Sequence, residues 1–431
     1  MSIRLTCSTR RLLVSGPATL TTALLVTQRC ATHKIMQRNA KLVSEASVVH
    51  EAFSNARVAT QTKLQASRPS GARPNTKPST IVLDDLQSSF ALTPSVIVSG
   101  QQLWNASKIA REKSALREAN KVFITGGAST IRRLWRTYKI QPNVVYVPDT
   151  EPVVPAWCLE EDLPSVIVRA SPVDINRQLL SAEMNDGFAA EFPMPAAPPL
   201  ELATEKPEEC LATPSTKLKS VLVLYRVMVP GNVGTLIRAA VDRGYDAVVL
   251  CGCADPYGEK VVRASDGCVA APGVKLFHIP DARQAVPILQ QIATSHDLLP
   301  IFGVPTEQSG AESPFVVAKK FHELNRRYPD RTLGAMVVLG SESMGLDALE
   351  NEWNMPFQAV SIAMTNHFVD SMNVAVAGAI LLQQFRPAAT ADFDRLAEVH
   401  QKLLQPKLTA ASVESSSDDT AEVDPQGTVK Q

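Results

Sequence analysis

Six continuous apolar runs in the carboxyl-terminal half of the chain constrain its fold most: "SVLVLY", "AVVLC", "VKLFHI", "LLPIFGV", "AMVVLG" and "QAVSIAM". A strand with one wet face alternates apolar and polar residues. A run that is apolar throughout fits a parallel sheet covered by helices on both faces. Helical stretches separate the runs, as parallel neighbours require. Residues 219–390 are therefore expected to form an α/β domain. Ligands of such sheets sit beyond the carboxyl ends of the strands. Three strand-to-helix corners fall there: "PGNVGTLIR", "LGSESMGL" and "SIAMTNHFVDSMNVAVAG".

Each corner has an ordinary structural explanation as well as a functional one. At the first, Asn232 is placed to cap a helix, Gly234 lets another backbone come close, and Arg238 lies near enough to reach the same cleft. At the second, Gly340 and Gly345 flank the carboxylate of Glu342, which also suits the first turn of a helix. At the third, Ser371 and Asn373 precede an apolar helix, and either would cap it. Ala375, Ala377, Gly378 and Ala379 indicate close packing, inside the fold or across a dimer.

Residues 96–195 read as a smaller α/β domain. "ASKIAREKSALREANK" and "TIRRLWRTYK" have helical spacing, and "VFITGG", "NVVYVP", "SVIVRA" and "DGFAAEFPMP" read as strands. Its helices carry Lys108, Arg111, Lys113, Arg117, Lys121, Arg132, Arg133, Arg136 and Lys139, dense enough for an RNA-facing surface as well as a solvated face. The stretch 45–95 reads as a disordered linker, 196–218 as a proline-containing linker, and 391–431 as a largely disordered acidic tail.

The formal net charge of zero averages over unlike parts. Residues 1–44 hold Arg4, Arg10, Arg11, Arg29, Lys34, Arg38 and Lys41 and no acid, the composition of an organelle transit peptide, with a mitochondrion as the expected destination and a plastid the alternative. No apolar run approaches the roughly 18 residues of a membrane span, so no membrane partner is expected. Of seven cysteines only Cys251 and Cys253 lie close together, and no second pair completes a zinc set, so no metal site is expected.

"NVGTLIRAA", "DPYGEKVVRASDGC", "LGSESMGL" and "SIAM…DSMNVAVA", in this order, resemble the SpoU (TrmH-type) RNA methyltransferases of the SPOUT superfamily. The second stretch matches the pattern DPYxxKxxRxSxG through Lys260, Arg263, Ser265 and Gly267. The resemblance covers the whole carboxyl-terminal region and implies a parallel sheet with a deep trefoil knot that holds S-adenosylmethionine. It implies cofactor contacts at Gly340, Ile362 and Met372, with Val304 and Met364 beside them. Catalytic roles fall on Asn232, Arg238, Glu342, Ser371 and Asn373. It further implies a homodimer, and an amino-terminal domain of ribosomal-protein type that binds RNA, with Arg132, Arg133, Arg136, Lys260 and Arg263 as RNA-contacting residues. Members with this arrangement mostly modify ribosomal RNA. Three departures stand out: Ala363 replaces the usual proline, Met372 the usual leucine, and "TNHFVD" is bulkier than the usual link. "EQSGAESPFVVAKKFHELNRRYPDRT" reads as an insertion before the "LGSESMGL" motif.

The implied reaction is attack of a ribose 2′-hydroxyl on the methyl of a sulfonium. Arginine is too basic to serve readily as the proton acceptor. The chemistry therefore favours Arg238 as the cation that stabilises the developing alkoxide. A tRNA substrate and a non-catalytic, RNA-binding assembly factor are the alternatives. A nicotinamide-dependent enzyme is disfavoured, because GxGxxG and its downstream acid are missing.

Overall fold

The computed structural model describes residues 37, 40–55, 57, 81–93, 96–159, 166–182, 185–196, 217–273, 275–305, 310–329, 332–341, 344–364 and 372–387. They divide into two compact units: residues up to Pro195 together with Tyr257–Arg263, and the remainder. The basic amino terminus before residue 37, most of the 196–218 segment, the 391–431 tail, Glu342 and Ser371 lie outside the described residues.

The first unit begins with a helix, α1, over residues 40–55. Strands β1 (Ile81–Leu83), β2 (Ser89–Thr93) and β3 (Val96–Ser99) follow. Then come α2 (Gly100–Glu112), α3 (Ser114–Asn120), β4 (Val122–Gly126), α4 (Ala128–Arg132), β5 (Val144–Pro148), β6 (Val166–Ala170), α5 (Pro172–Asp174) and β7 (Ala189–Pro193). Five strands form one sheet in the order β1-β6-β5-β7-β4; β2 and β3 form a separate antiparallel pair. β1, β6 and β5 run parallel, and β7 runs antiparallel to both β5 and β4. Over residues 45–55 and 81–93 this corrects the reading of 45–95 as a disordered linker; residues 58–80 lie outside the described residues. Ala46, Val49, His50 and Phe53 recur at helical spacing on one buried face of α1. With only one large aromatic among them, that stripe carried little weight in the sequence.

A buried polar cluster fixes α1 to the sheet. Glu191, on β7, accepts hydrogen bonds from Ser107 Oγ (2.8 Å) and Asn143 Nδ2 (2.8 Å), and pairs with His50 Nε2 at 3.2 Å. Tyr146 donates to Ser107 Oγ at 2.9 Å. Burial works to raise the Glu191 pKa, but the His50 charge and the three hydrogen bonds outweigh it and hold the carboxyl below its ordinary 4.5. Burial likewise works to lower the His50 pKa, and the Glu191 charge reverses this, leaving it above 6.5.

Removing one partner of a buried ion pair costs several kcal/mol, because the other is left uncompensated. Glu191→Gln is therefore expected to destabilise this unit by about 3 kcal/mol. The His50 contribution is complete below pH 6.5 and is lost as pH rises through its raised folded value. The Glu191 contribution is present above pH 4.5 and is lost as pH falls through its depressed folded value. Urea unfolding from pH 4 to 9 should therefore show the gap between wild type and variant widest between those two ordinary values and narrower on both sides.

The second unit contains β8 (Ser220–Tyr225), α6 (Pro230–Asp242), β9 (Ala247–Cys251), β10 (Lys275–Ile279), α8 (Ala285–Ser295), β11 (Leu298–Gly303), α9 (Pro314–Arg327), β12 (Gly334–Gly340), α10 (Asp347–Glu352), β13 (Gln358–Val360) and α11 (Val374–Gln384). Helix α7 (Glu259–Ala264) lies between β9 and β10 in the chain, and all but its last residue groups with the first unit. Six strands form one sheet in the order β10-β9-β8-β12-β11-β13, every adjacent pair parallel. Each expected apolar run forms its strand, although "QAVSIAM" contributes only its first three residues. What read as an insertion before β12 folds into α9, the crossover that the parallel neighbours β11 and β12 need.

The chain steps outward from β8 through β9 to β10, then crosses to β11 and returns to β12 beside β8. That reversal is a topological switch point, where Tyr225 pairs with Gly340 at the strands' carboxyl ends. α11 lies against α6, β12 and β11. Gly378 permits this approach: a Cβ there would collide with Leu236 and stand 2.7 Å from Leu339 Cδ1.

Candidate active site

A cavity of about 330 Å³ opens at the carboxyl ends of β11, β12 and β13 and is closed by α11. Val304, Gly340, Ile362, Met364 and Met372, the residues expected at the cofactor, all line it. Leu339, Val360, Val374, Ala377 and Leu381 complete an apolar wall. The sequence reading missed Ala377, Leu381 and Asp347, the last a carboxylate beside a mostly apolar wall. Helical spacing from the capping Asn373 could have found Ala377 and Leu381, since four-residue steps return to one helix face.

Gly340 also has a structural role beside its place in the cavity wall. A Cβ at Gly340 would collide with the carbonyl of Gly345. The glycine thus closes the Ser341–Gly345 turn, in which Gly345 donates to the Ser341 carbonyl at 2.9 Å, and Gly345 itself takes a left-handed φ of 55°.

At the first corner the helix begins earlier than expected. Pro230 occupies the first helical position, where its missing N–H would have had no partner, and Val229 is the capping residue. Asn232 is therefore inside the first turn and does not cap. Its Oδ1 instead accepts from Asn373 Nδ2 at 3.3 Å, which joins the start of α6 to the start of α11. Asn373 does cap its own helix, accepting from the Ala375 N–H at 2.9 Å.

Six residues beyond Asn232, Arg238 lies about 9 Å further along α6 and about 120° around it. It points out of the fold, its side chain 55% exposed, and does not line the cavity. Its guanidinium faces Asp266 Oδ2 at 3.9 Å. The structure thus brings Asn232 and Asn373 together beside the cavity and sets Arg238 apart with a carboxylate partner. Glu342 and Ser371 fall outside the described residues.

The basic residues of the first unit divide by role. Arg117 is buried and donates to the carbonyls of Ala110 and Arg111, so it is structural and not part of an RNA-facing surface. After α4 the chain forms a π-helical turn, Arg133–Thr137, whose extra residue per turn shifts the helix face. Arg136 there donates to the Trp157 carbonyl at 2.8 Å, while Arg132 lies over the Trp157 ring at 5.9 Å and stays exposed. Arg136 thus braces the loop. Lys260 is exposed, and Arg263 pairs with Glu259 at 3.2 Å.

An apolar cavity beyond parallel strands, flanked by two helix starts joined through amides, is the setting of a small-molecule site in an α/β protein. Residues 219–383 match the SpoU rRNA Methylase family. The chain is 31% identical over 205 residues to the 23S rRNA (guanosine(2553)-2′-O)-methyltransferase RlmP of Bacillus subtilis, covering 47% of this chain and 70% of that one. It is 27% identical over 229 residues to an uncharacterized tRNA/rRNA methyltransferase of Synechocystis, covering 53% of this chain and 73% of that one. Among solved structures, the SpoU methyltransferase AviRb from Streptomyces viridochromogenes, in complex with AdoMet, aligns at 19% identity and a TM-score of 0.48, covering 65% of this chain and 96% of that one. An AdoMet-bound rRNA methyltransferase from Sinorhizobium meliloti aligns at 18% and 0.46, covering 65% and 92%.

The chain belongs to the SpoU family and is an S-adenosylmethionine-dependent RNA 2′-O-ribose methyltransferase. The cavity fits that cofactor. Its volume lies within the range of about 300–1,000 Å³ usual for small-molecule sites. The apolar wall suits an adenine ring, and the exposed backbone at Gly303, Gly340 and Gly345 suits the polar remainder.

Proposed function

We propose that this enzyme methylates a ribose 2′-hydroxyl in large-subunit ribosomal RNA, and that it does so in a mitochondrion. The observation that carries the reading is the Asn373–Asn232 hydrogen bond, which ties the cavity's closing helix to the helix bearing Arg238. The activity of the Bacillus relative supports the choice of ribosomal RNA. The acid-free, arginine-bearing amino terminus supports the destination.

When bound, S-adenosylmethionine supplies an electrophilic methyl on a sulfonium. The chain's own residues must then make the hydroxyl nucleophilic. Arg238 offers a planar array of N–H donors to the oxygen as it gains negative charge, and to the neighbouring phosphate. Asn232 and Asn373 orient the ribose, each amide already held by the other. Glu342 and Ser371 complete the proposed set, with Glu342 as a proton acceptor.

The same reading includes a deep trefoil knot around the cavity and a homodimer. Arg238 does not line the cavity of its own chain, as it would not if it served the partner's. Val376 and Ile380 stand exposed on α11 in a shallow apolar groove shared with Thr235 and Arg243 of α6. That surface suits a second copy.

The first unit is proposed to capture RNA. Neutralising Arg132 and Arg133, and leaving Arg136 to brace Trp157, should weaken RNA binding several-fold and reduce the magnitude of its salt slope by about 1 to 2, since each lost phosphate contact releases fewer counterions. Filter binding at 50 to 200 mM salt would measure this, and unchanged affinity and slope would leave the two arginines a solvated face.

Deleting residues 1–36 should leave cofactor binding intact and keep the protein in the cytosol, as read by fractionation. Mapping ribose methylation in mitochondrial RNA with and without the enzyme tests the whole reading. A site lost from cytosolic RNA or tRNA alone would redirect it.

A further inference from the structure

Arg238 has a neighbour that the motifs do not include. Asp266 occupies a variable position of the DPYxxKxxRxSxG pattern, between Ser265 and Gly267. Its carboxylate stands 3.9 Å from the Arg238 guanidinium, and its side chain is only 16% exposed against 55% for the arginine. A mostly buried carboxylate here faces an exposed cation on the outside of α6.

The backbone presents Asp266 deliberately. Its φ is 51°, in the left-handed region that residues other than glycine seldom enter, and asparagine and aspartate enter it most easily. The residues on either side are anchored. Ser265 is fully buried, and its carbonyl accepts from the Cys268 N–H at 3.0 Å. Gly267, at φ 79°, accepts from the Ala270 N–H at 3.0 Å. The turn Cys268–Ala270 packs against α6, so the turn and the helix that carry the two charges are fixed to each other.

The distance gives the contact its character. At 3.9 Å the pair is held by charge and is too long for a hydrogen bond. A bidentate carboxylate would occupy the guanidinium donors that the substrate needs. A carboxylate at this distance narrows the rotamers of an exposed arginine without occupying them. Asn232 and Asn373, the neutral members of the site, supply no such field.

We propose that Asp266 is the positioning residue for Arg238, aiming its guanidinium at the ribose oxygen while leaving its donors open. This rests on the reading of Arg238 as the stabiliser of the alkoxide. Asp266 touches neither cofactor nor ribose in this scheme and acts only through the arginine.

The backbone makes the test clean, because Asn and Gly both accept the left-handed φ. Asp266→Asn and Asp266→Gly should unfold at or above the wild-type temperature and bind S-adenosylmethionine as wild type does. Each should lose roughly tenfold in single-turnover rate, less than the ~100-fold that a 1 Å misplacement costs. In an Arg238→Lys background, Asp266→Asn should add no further loss. In arginine-labelled protein, solvent exchange of the Arg238 Nε–H, assigned by its disappearance in Arg238→Lys, should quicken several-fold in Asp266→Asn. Rates within twofold of wild type, a loss that adds in full to that of Arg238→Lys, or an unaltered exchange rate would each overturn the proposal. Wild-type protein that transfers no methyl group would count against the reading of the site, while the exchange measurement would still judge the contact itself.

Discussion

Arg238→Lys should lower the single-turnover methylation rate by roughly 100-fold or more, by comparison with the loss of one oxyanion donor. Lysine keeps the positive charge but replaces a planar fork with a point charge, so it cannot grip an alkoxide and a phosphate together. Cofactor affinity should be unchanged, because Arg238 does not line the cavity. The pH dependence decides between two roles. A lysine with its ordinary pKa of about 10.4 sheds its proton more readily than arginine. If the position acts as the base, the lysine variant should recover toward the wild-type rate as pH rises from 6 to 10. If the position acts as a cation, the variant should stay slow throughout. The carboxylate neighbour, 3.9 Å from the guanidinium, suits a position that works as a cation.

Ala377→Phe should weaken S-adenosylmethionine binding by roughly 100-fold, equivalent to about 2.7 kcal/mol, while the protein stays folded. Ala377 faces the cavity from α11, so a phenyl ring there has empty space to enter and fills the room the cofactor needs. Gly340→Val should also abolish binding, for a different reason. Its side chain meets the Gly345 carbonyl first and forces the Ser341–Gly345 turn open, which should lower the melting temperature as well. Calorimetry and thermal unfolding of both variants separate the two effects. Unimpaired binding in Ala377→Phe would remove the cavity from consideration as the cofactor site.

The parallel sheet was legible because its strands fall in nearly continuous apolar runs, with few polar residues inside them. The cavity lining was legible in part, because Val304, Gly340, Ile362, Met364 and Met372 cluster at strand ends in short, recognisable motifs. Three features were not. Asn232 was expected to cap α6, but Val229 caps it three residues earlier, with Pro230 as the first helical residue. The Arg238–Asp266 contact joins two segments through a turn whose left-handed aspartate has no sequence signature. Arg136 looked equivalent to Arg132 on a regular helix; the π-helical turn between them broke that equivalence and gave them different work. Sequence spacing reports local periodicity, and each of these depended on a local irregularity or a distant partner.

The buried contact between His50 and Glu191 sets a limit on how the chain can be matured. On the mitochondrial reading proposed above, cleavage of a leader has to fall upstream of Ala46, the first buried residue of α1. A cut just before His50 would discard Ala46 and Val49 and leave His50 at a frayed, newly charged amino terminus, beside a carboxylate that still needs it. On that reading, import and folding are linked through one histidine. A chain trimmed too far would reach its compartment with an intact catalytic half and an amino-terminal unit unable to close.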